Sequence, residues 1–153
     1  MVQRRTGIAT AVALAGIFAG CGTQDGSPSS ATTGTRELIV EGQMYAAASR
    51  YGDLVFTAGT LPSDPGAGID EQIESALDNL EAALEAAGAG FDTLLKVNTY
   101  LTDWDDWETF NSIYVDRIGE HGLPPRATVE LVGLGGDSLI EIEAIAHVRD
   151  TSP

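Results

Sequence analysis

The sequence predicts an α+β sandwich: one mixed β-sheet with two helices packed on one face. Three observations predict it. Two segments carry apolar residues at helical spacing, Ile69, Ile73, Leu77, Leu80 and Leu84 in the first and Trp107, Phe110, Tyr114 and Ile118 in the second. Around them lie short β-branched or alternating runs. The signals fall in the order β-β-β-α-β-α-β-β, and two helices beside a sheet satisfy their apolar faces by packing on it.

In chain order, Leu38-Ile39-Val40 reads as a short first strand. Tyr45 to Arg50 and Leu54 to Ala58 flank the turn-rich Tyr51-Gly52-Asp53, the pattern of a hairpin. Leu61 to Gly66 (LPSDPG) is a loop. The first helix opens near Ile69, keeps Asp and Glu on its outer face, and has Gly88 as its C-terminal signal. Leu95, Val97, Thr99 and Leu101 alternate as a strand, and the second helix closes at Gly119 or Gly122. Arg126 to Val132 is the next strand and Gly133 to Asp137 a turn. Ile140, Ile142, Ala144, Ala146 and Val148 form one apolar face of a long last strand.

The first 35 residues have a different character. Arg4 and Arg5 precede the fourteen-residue uncharged run Gly7 to Gly20, too short to span a bilayer as a helix and of the form of a secretory signal. Ala19-Gly20 before the lone Cys21 resembles a bacterial lipobox, with Phe18 where leucine is usual. The alternatives are a buried N-terminal helix with an idle thiol and a twin-arginine signal. Residues 1–20 are thus expected to be a signal peptide, Cys21 a lipidation site, and 21–35, rich in Gly, Ser and Thr, a flexible tether. The folded domain spans 36–150 and 151–153 is a tail. The implied location is extracytoplasmic, anchored in a bacterial envelope through lipid.

Charge narrows the function classes. Eight Lys plus Arg against 23 Asp plus Glu give a net charge of −15, and loss of Arg4 and Arg5 with the signal would make it −17. Phosphate backbones require a cationic surface, so nucleic acid is not an expected partner. Such acidity suits high salt, and equally serves plain solubility. One cysteine precludes an internal disulfide, and His121 and His147 have no metal-ligand spacing, so no metal is expected.

Pro124-Pro125-Arg126-Ala127-Thr128-Val129-Glu130-Leu131 followed by Ile140-Glu141-Ile142-Glu143-Ala144-Ile145-Ala146 resembles the signature of the Rid (YjgF/YER057c/UK114) family of enamine/imine deaminases. Phe56 to Pro62, Ala76 to Leu80, Glu85 to Gly88 and Phe110 to Tyr114 agree, so the likeness covers about Leu38 to Arg149. The resemblance implies a chorismate-mutase-like fold and a homotrimer with clefts between subunits. It also implies hydrolysis of 2-imino acids, such as 2-iminobutanoate and 2-iminopropanoate, to 2-keto acids and ammonia without a cofactor.

Through the resemblance, Arg126 takes the role of carboxylate-binding arginine, Glu141 positions water, Tyr45 lines the pocket, and Gly59 brings backbone to the substrate. Asn111 and Thr128 also border the cleft. Each has a plainer reading: a surface arginine paired with an acid, a solvated strand face, a cross-strand aromatic, a turn glycine, a helix brace. The chemistry is consistent, since a guanidinium on a strand entry suits bidentate carboxylate binding and a carboxylate can take a proton from attacking water. Thr128 stands where many members have cysteine; it keeps a hydroxyl and loses thiol chemistry. The contrasting function class is a non-catalytic, surface-anchored trimer that binds a small carboxylate or a protein partner. A carboxylate in the same pocket as the arginine favours the enzyme, because a binder of anions gains nothing from it. Ribonuclease activity, named for some relatives, conflicts with the acidic charge.

Overall fold

The computed structural model describes residues 34–150. The expected signal peptide, Cys21, the tail and nearly all of the tether lie outside the described residues. Six strands and two helices follow in the expected order: β1 (Arg36–Glu41), β2 (Ala46–Tyr51), β3 (Leu54–Thr57), α1 (Ile69–Ala86), β4 (Leu94–Leu101), α2 (Trp107–Ile118), β5 (Arg126–Glu130) and β6 (Ile140–His147). They make one sheet ordered β1-β2-β3-β6-β4-β5. Only β4 and β5 run parallel, with α2 as their crossover. The chain's last strand inserts between β3 and β4 and completes the middle of the sheet.

Both helices cover one face. Ile73, Leu77, Leu80 and Leu84 of α1 and Phe110, Tyr114 and Ile118 of α2 form one buried cluster with Val55, Val97, Leu101, Ile140, Ile142 and Ala146 of the strands. These are the residues the two periodicities single out, and their burial is the main drive for the fold. Gln72 is the polar exception on the buried stripe of α1, and it is fully used. Its amide nitrogen donates to the carbonyls of Pro65 (2.9 Å) and Ala67 (3.0 Å), and its oxygen accepts from the Leu139 N–H (2.9 Å). One side chain thereby ties the loop before α1 to the start of β6. Gly88 follows the end of α1 at φ +80°, a conformation that favours glycine. At the end of α2 the reversal is made by Gly122, at φ +88°, while Gly119 stays helical.

The helices are also joined on the outside. Arg117 of α2 reaches Glu74 (2.5 Å), Asp78 (2.8 Å) and Glu81 (3.3 Å), which recur along one side of α1. Before α2, Asp103 accepts from the Asp105 N–H at 2.9 Å, and the Trp104 and Trp107 rings stack with centroids 6.2 Å apart.

Three local differences from the sequence reading have simple causes. Leu95 shares the parity of Val97 but is exposed, because a bulge between Leu94 and Lys96 inserts it as an extra residue. The strand expected to reach Val132 ends at Glu130, since β4 stops at Leu101 and the last rung is Leu131 N–H to the Leu101 carbonyl (2.8 Å). Tyr45 lies just before β2 rather than in it, its carbonyl accepting from the Gly42 N–H at 3.0 Å.

The other face of the sheet has no helix. Leu38, Phe56, Leu95 and Val129 are exposed there or at its bulge, and Asn98, Tyr100, Glu141, Glu143 and Ile145 alternate with the buried residues of β4 and β6.

Candidate active site

The candidate residues fall into two groups on opposite faces of the sheet. Arg126 pairs in register with buried Val97, so it points to the helix side. Its Nη2 donates to Oδ1 of Asn111 at 2.7 Å, its only side-chain hydrogen bond among the described residues. The guanidinium lies 4.4 Å from the Tyr114 ring centroid and 4.9 Å from that of Phe110, within cation–π range of both. Phe110, Asn111 and Tyr114 come from successive turns of α2, so that helix builds the seat of the arginine. Burial lowers the Arg126 pKa from its ordinary value, and burial pushes the Tyr114 hydroxyl up to about 12. A cleft of about 240 Å³ opens here between Asn111, Tyr114, Val115, Leu123, Pro124 and Arg126.

Glu141 pairs with Tyr100 and alternates with buried Ile140 and Ile142, so it points to the open face. Its partner in space is Gly59. Thr60 is bridged to Ile142, with N–H to carbonyl distances of 2.7 and 3.1 Å, and this holds the Ala58–Leu61 segment alongside β6. The Glu141 carboxyl group then lies so close over Gly59 that a Cβ there would collide with it. Gly59 is required by this close approach and not by a turn conformation. Tyr45, Ala58, Gly59, Leu61 and Glu141 line a cleft of about 300 Å³. The Glu141 pKa is raised, first by burial and then by the neighbouring charge of Glu143. A carboxylate so perturbed in a cleft is a better base than an ordinary glutamate.

One protomer therefore joins Tyr45, Gly59 and Glu141 in one cleft and Arg126 and Asn111 in another, and does not bring Arg126 and Glu141 together. Thr128 lies on the same face as Arg126, in register with Thr99, outside the residues that line either cleft. The buried Thr99 and Tyr114 hydroxyls have no hydrogen-bond partner among the described residues. Sequence reasoning missed two features. Phe110 and Tyr114 read as core alone, although their rings also seat Arg126. Asn98 and Tyr100 have a parity opposite to Val97, Thr99 and Leu101, and that parity is the sequence signal that they share a face with Glu141.

The family model described as Endoribonuclease L-PSP matches residues 36–148. A RutC family protein of Pyrococcus horikoshii is 40% identical over 109 residues, covering 67% of this chain and 86% of that protein. A protein of Salmonella typhimurium named 2-iminobutanoate/2-iminopropanoate deaminase is 35% identical over 112 residues, covering 69% of this chain and 88% of that protein. Among solved structures, Escherichia coli TdcF with bound serine superposes with a TM-score of 0.67 at 31% identity, covering 74% of this chain and 99% of that one.

Proposed function

The chain belongs to the Endoribonuclease L-PSP family, which is the Rid (YjgF/YER057c/UK114) family, and from that premise we propose that it hydrolyses 2-imino acids to 2-keto acids and ammonia. The observation that carries the reading is the half-buried Glu141 carboxylate pressed over Gly59, in a chain whose only half-buried cleft arginine among the described residues keeps donors free. Arg126 holds the substrate carboxylate through its fork of N–H groups. The protonated imine carbon is the electrophile. Water attacks it, Glu141 takes the water's proton, and the resulting amino alcohol releases ammonia as its hydroxyl becomes the keto group. A serine bound to TdcF is an amino acid of the size and charge such a cleft would take.

Because the two half-clefts lie on opposite faces of one protomer, the complete site is assembled between subunits of a homotrimer. The apolar residues of the open sheet face supply the contact surface. Nuclease activity is disfavoured by the net charge of −15. Cys21 carries a lipid anchor that holds the domain at the envelope; a Cys21→Ser protein that still fractionates with membranes at unchanged mass contradicts that.

The direct test is a purified-protein assay in which 2-imino acids are generated in place and keto-acid release is timed against spontaneous hydrolysis. Acceleration supports the deaminase. No acceleration on any imino acid tried favours the non-catalytic trimer that binds a small carboxylate.

A further inference from the structure

Beside Glu141 the open face carries a second carboxylate that the proposed reaction does not use. Glu143 is two residues along β6, on the same face, and its Oε1 accepts two hydrogen bonds, from the Tyr100 hydroxyl (2.9 Å) and from the Asn98 side-chain amide (2.9 Å). Asn98 is the direct cross-strand partner of Glu143, and Tyr100 that of Glu141. Tyr100 therefore stands opposite one glutamate while bonding to the other. A glutamate on a solvated strand face ordinarily samples several rotamers; this one is held at a single position by two donors from β4.

We propose that Glu143, fixed by Tyr100 and Asn98, is a positioning residue whose immobile negative charge sets the pH at which Glu141 becomes a competent base. This rests on the deaminase reading of Glu141. The physical reason is the cost of a second like charge on adjacent same-face positions of a strand. A mobile Glu143 would swing into solvent and be screened; a tethered one cannot. Within one protomer the other titratable groups facing Glu141 are Tyr100 on β4 and Tyr45 from the loop before β2, and in the proposed trimer a neighbouring subunit's Arg126 adds a positive charge that Glu143→Gln leaves in place. Lys96 lies farther along β4, opposite Ile145, and the Ala58–Leu61 segment packed on the other side brings no charge. The Glu141 carboxyl is raised by burial and by Glu143 in the same sense. The Tyr100 hydroxyl is raised as well, chiefly by its bond to Glu143.

Glu143→Gln is the variant of choice, since its amide oxygen accepts the same two bonds without the charge. With the like charge gone, Glu141 ionises more readily, so the acid limb of the kcat/KM profile moves to lower pH. The ratio of activity at about pH 5 to that at about pH 8 should rise roughly two- to fivefold, the range expected for same-face charge pairs on a sheet. The plateau rate should fall modestly, because a weaker base accepts the water's proton less well. Carbon NMR titration of the Glu141 carboxyl, assigned with Glu141→Gln, reads the same shift without turnover. An unchanged Glu141 titration in Glu143→Gln overturns the proposal. An inactive wild type overturns the deaminase reading and leaves the titration to decide the coupling. Should Glu143→Gln fail to fold, the Asn98→Ala/Tyr100→Phe double variant frees the carboxylate; it should move Glu141 in the same direction by less, and no movement overturns the proposal.

Discussion

Arg126 is the residue on which the proposed chemistry is most exposed to test. Its guanidinium rests on two rings of α2 and spends one N–H on Asn111. Lysine keeps the charge but offers a point donor in place of a planar fork and stacks less well. Arg126→Ala should lose about 1.5–3 kcal/mol of charge-assisted binding or more, roughly tenfold to a few hundredfold in kcat/KM, and Arg126→Lys a substantial part of it, with circular dichroism unchanged. An active wild type matched by Arg126→Ala would refute the assigned role. Glu141 makes a separate prediction about stability. Its folded-state pKa is raised by burial and by Glu143, so its ionisation opposes folding. What the group contributes is fully present below the ordinary glutamate range and is lost as pH rises through the folded-state value. Glu141→Gln should therefore abolish activity yet raise the Tm near pH 7, with the gain vanishing in acid. A neutral-pH Tm below wild type would contradict this. At this scale the sequence revealed residue types well, through the strand parity of Glu141 and the motif around Arg126. The opposite orientation of the two was unreadable, because it depends on Arg126 aligning with Val97 across a parallel pair whose register no local pattern reports.

Between the elements, the helix pair is joined by an apolar seam and a charged clamp of different character. Leu80 is fully buried in the seam, and Leu80→Ala should cost about 2–5 kcal/mol by leaving a cavity. Arg117 gathers Glu74, Asp78 and Glu81, each partly solvated. Such pairs are individually weak, but removing the arginine also leaves three acids facing one another. Arg117→Met should destabilise by roughly 1 kcal/mol at low salt, and the difference from wild type should shrink as salt screens the acids. Urea titrations at two ionic strengths would show a salt-independent difference if the clamp is only apolar packing. Both helices and the two central strands β4 and β6 were legible from periodicity, because each carries one buried face, and the other strands from β-branched runs and the turn signals between them. Leu95 leaves the alternation because a bulge breaks it without altering composition. The seat that α2 provides for Arg126 was hidden for a related reason: Phe110 and Tyr114 satisfy the core pattern whether or not a cation lies on their rings.

For the whole molecule the uncovered sheet face sets the expectation. Leu38, Phe56 and Val129 expose apolar surface on the side away from the helices, Leu95 does so at its bulge, and the two clefts lie on opposite faces of one protomer. Sedimentation at micromolar concentration should give three times the protomer mass, and a monomer would remove both the proposed cleft between subunits and the cover for that face. The net charge of −15 opposes assembly by self-repulsion, so the trimer should tighten as salt increases. No local pattern in the sequence reports an assembly, since an apolar residue on a sheet face reads the same whether it meets a helix or a second chain.

The stacked indoles at the start of α2 give the protein a built-in optical reporter. Trp104 and Trp107 are the only tryptophans in the chain, so its tryptophan emission comes from one place. The tryptophan emission wavelength would follow the docking of one helix start, while far-ultraviolet ellipticity would average over every element. Coincident melting curves from the two would show that α2 separates from the sheet only when everything does. An earlier fluorescence transition would instead expose α2, and with it the seat of Arg126, as a unit that opens ahead of the rest.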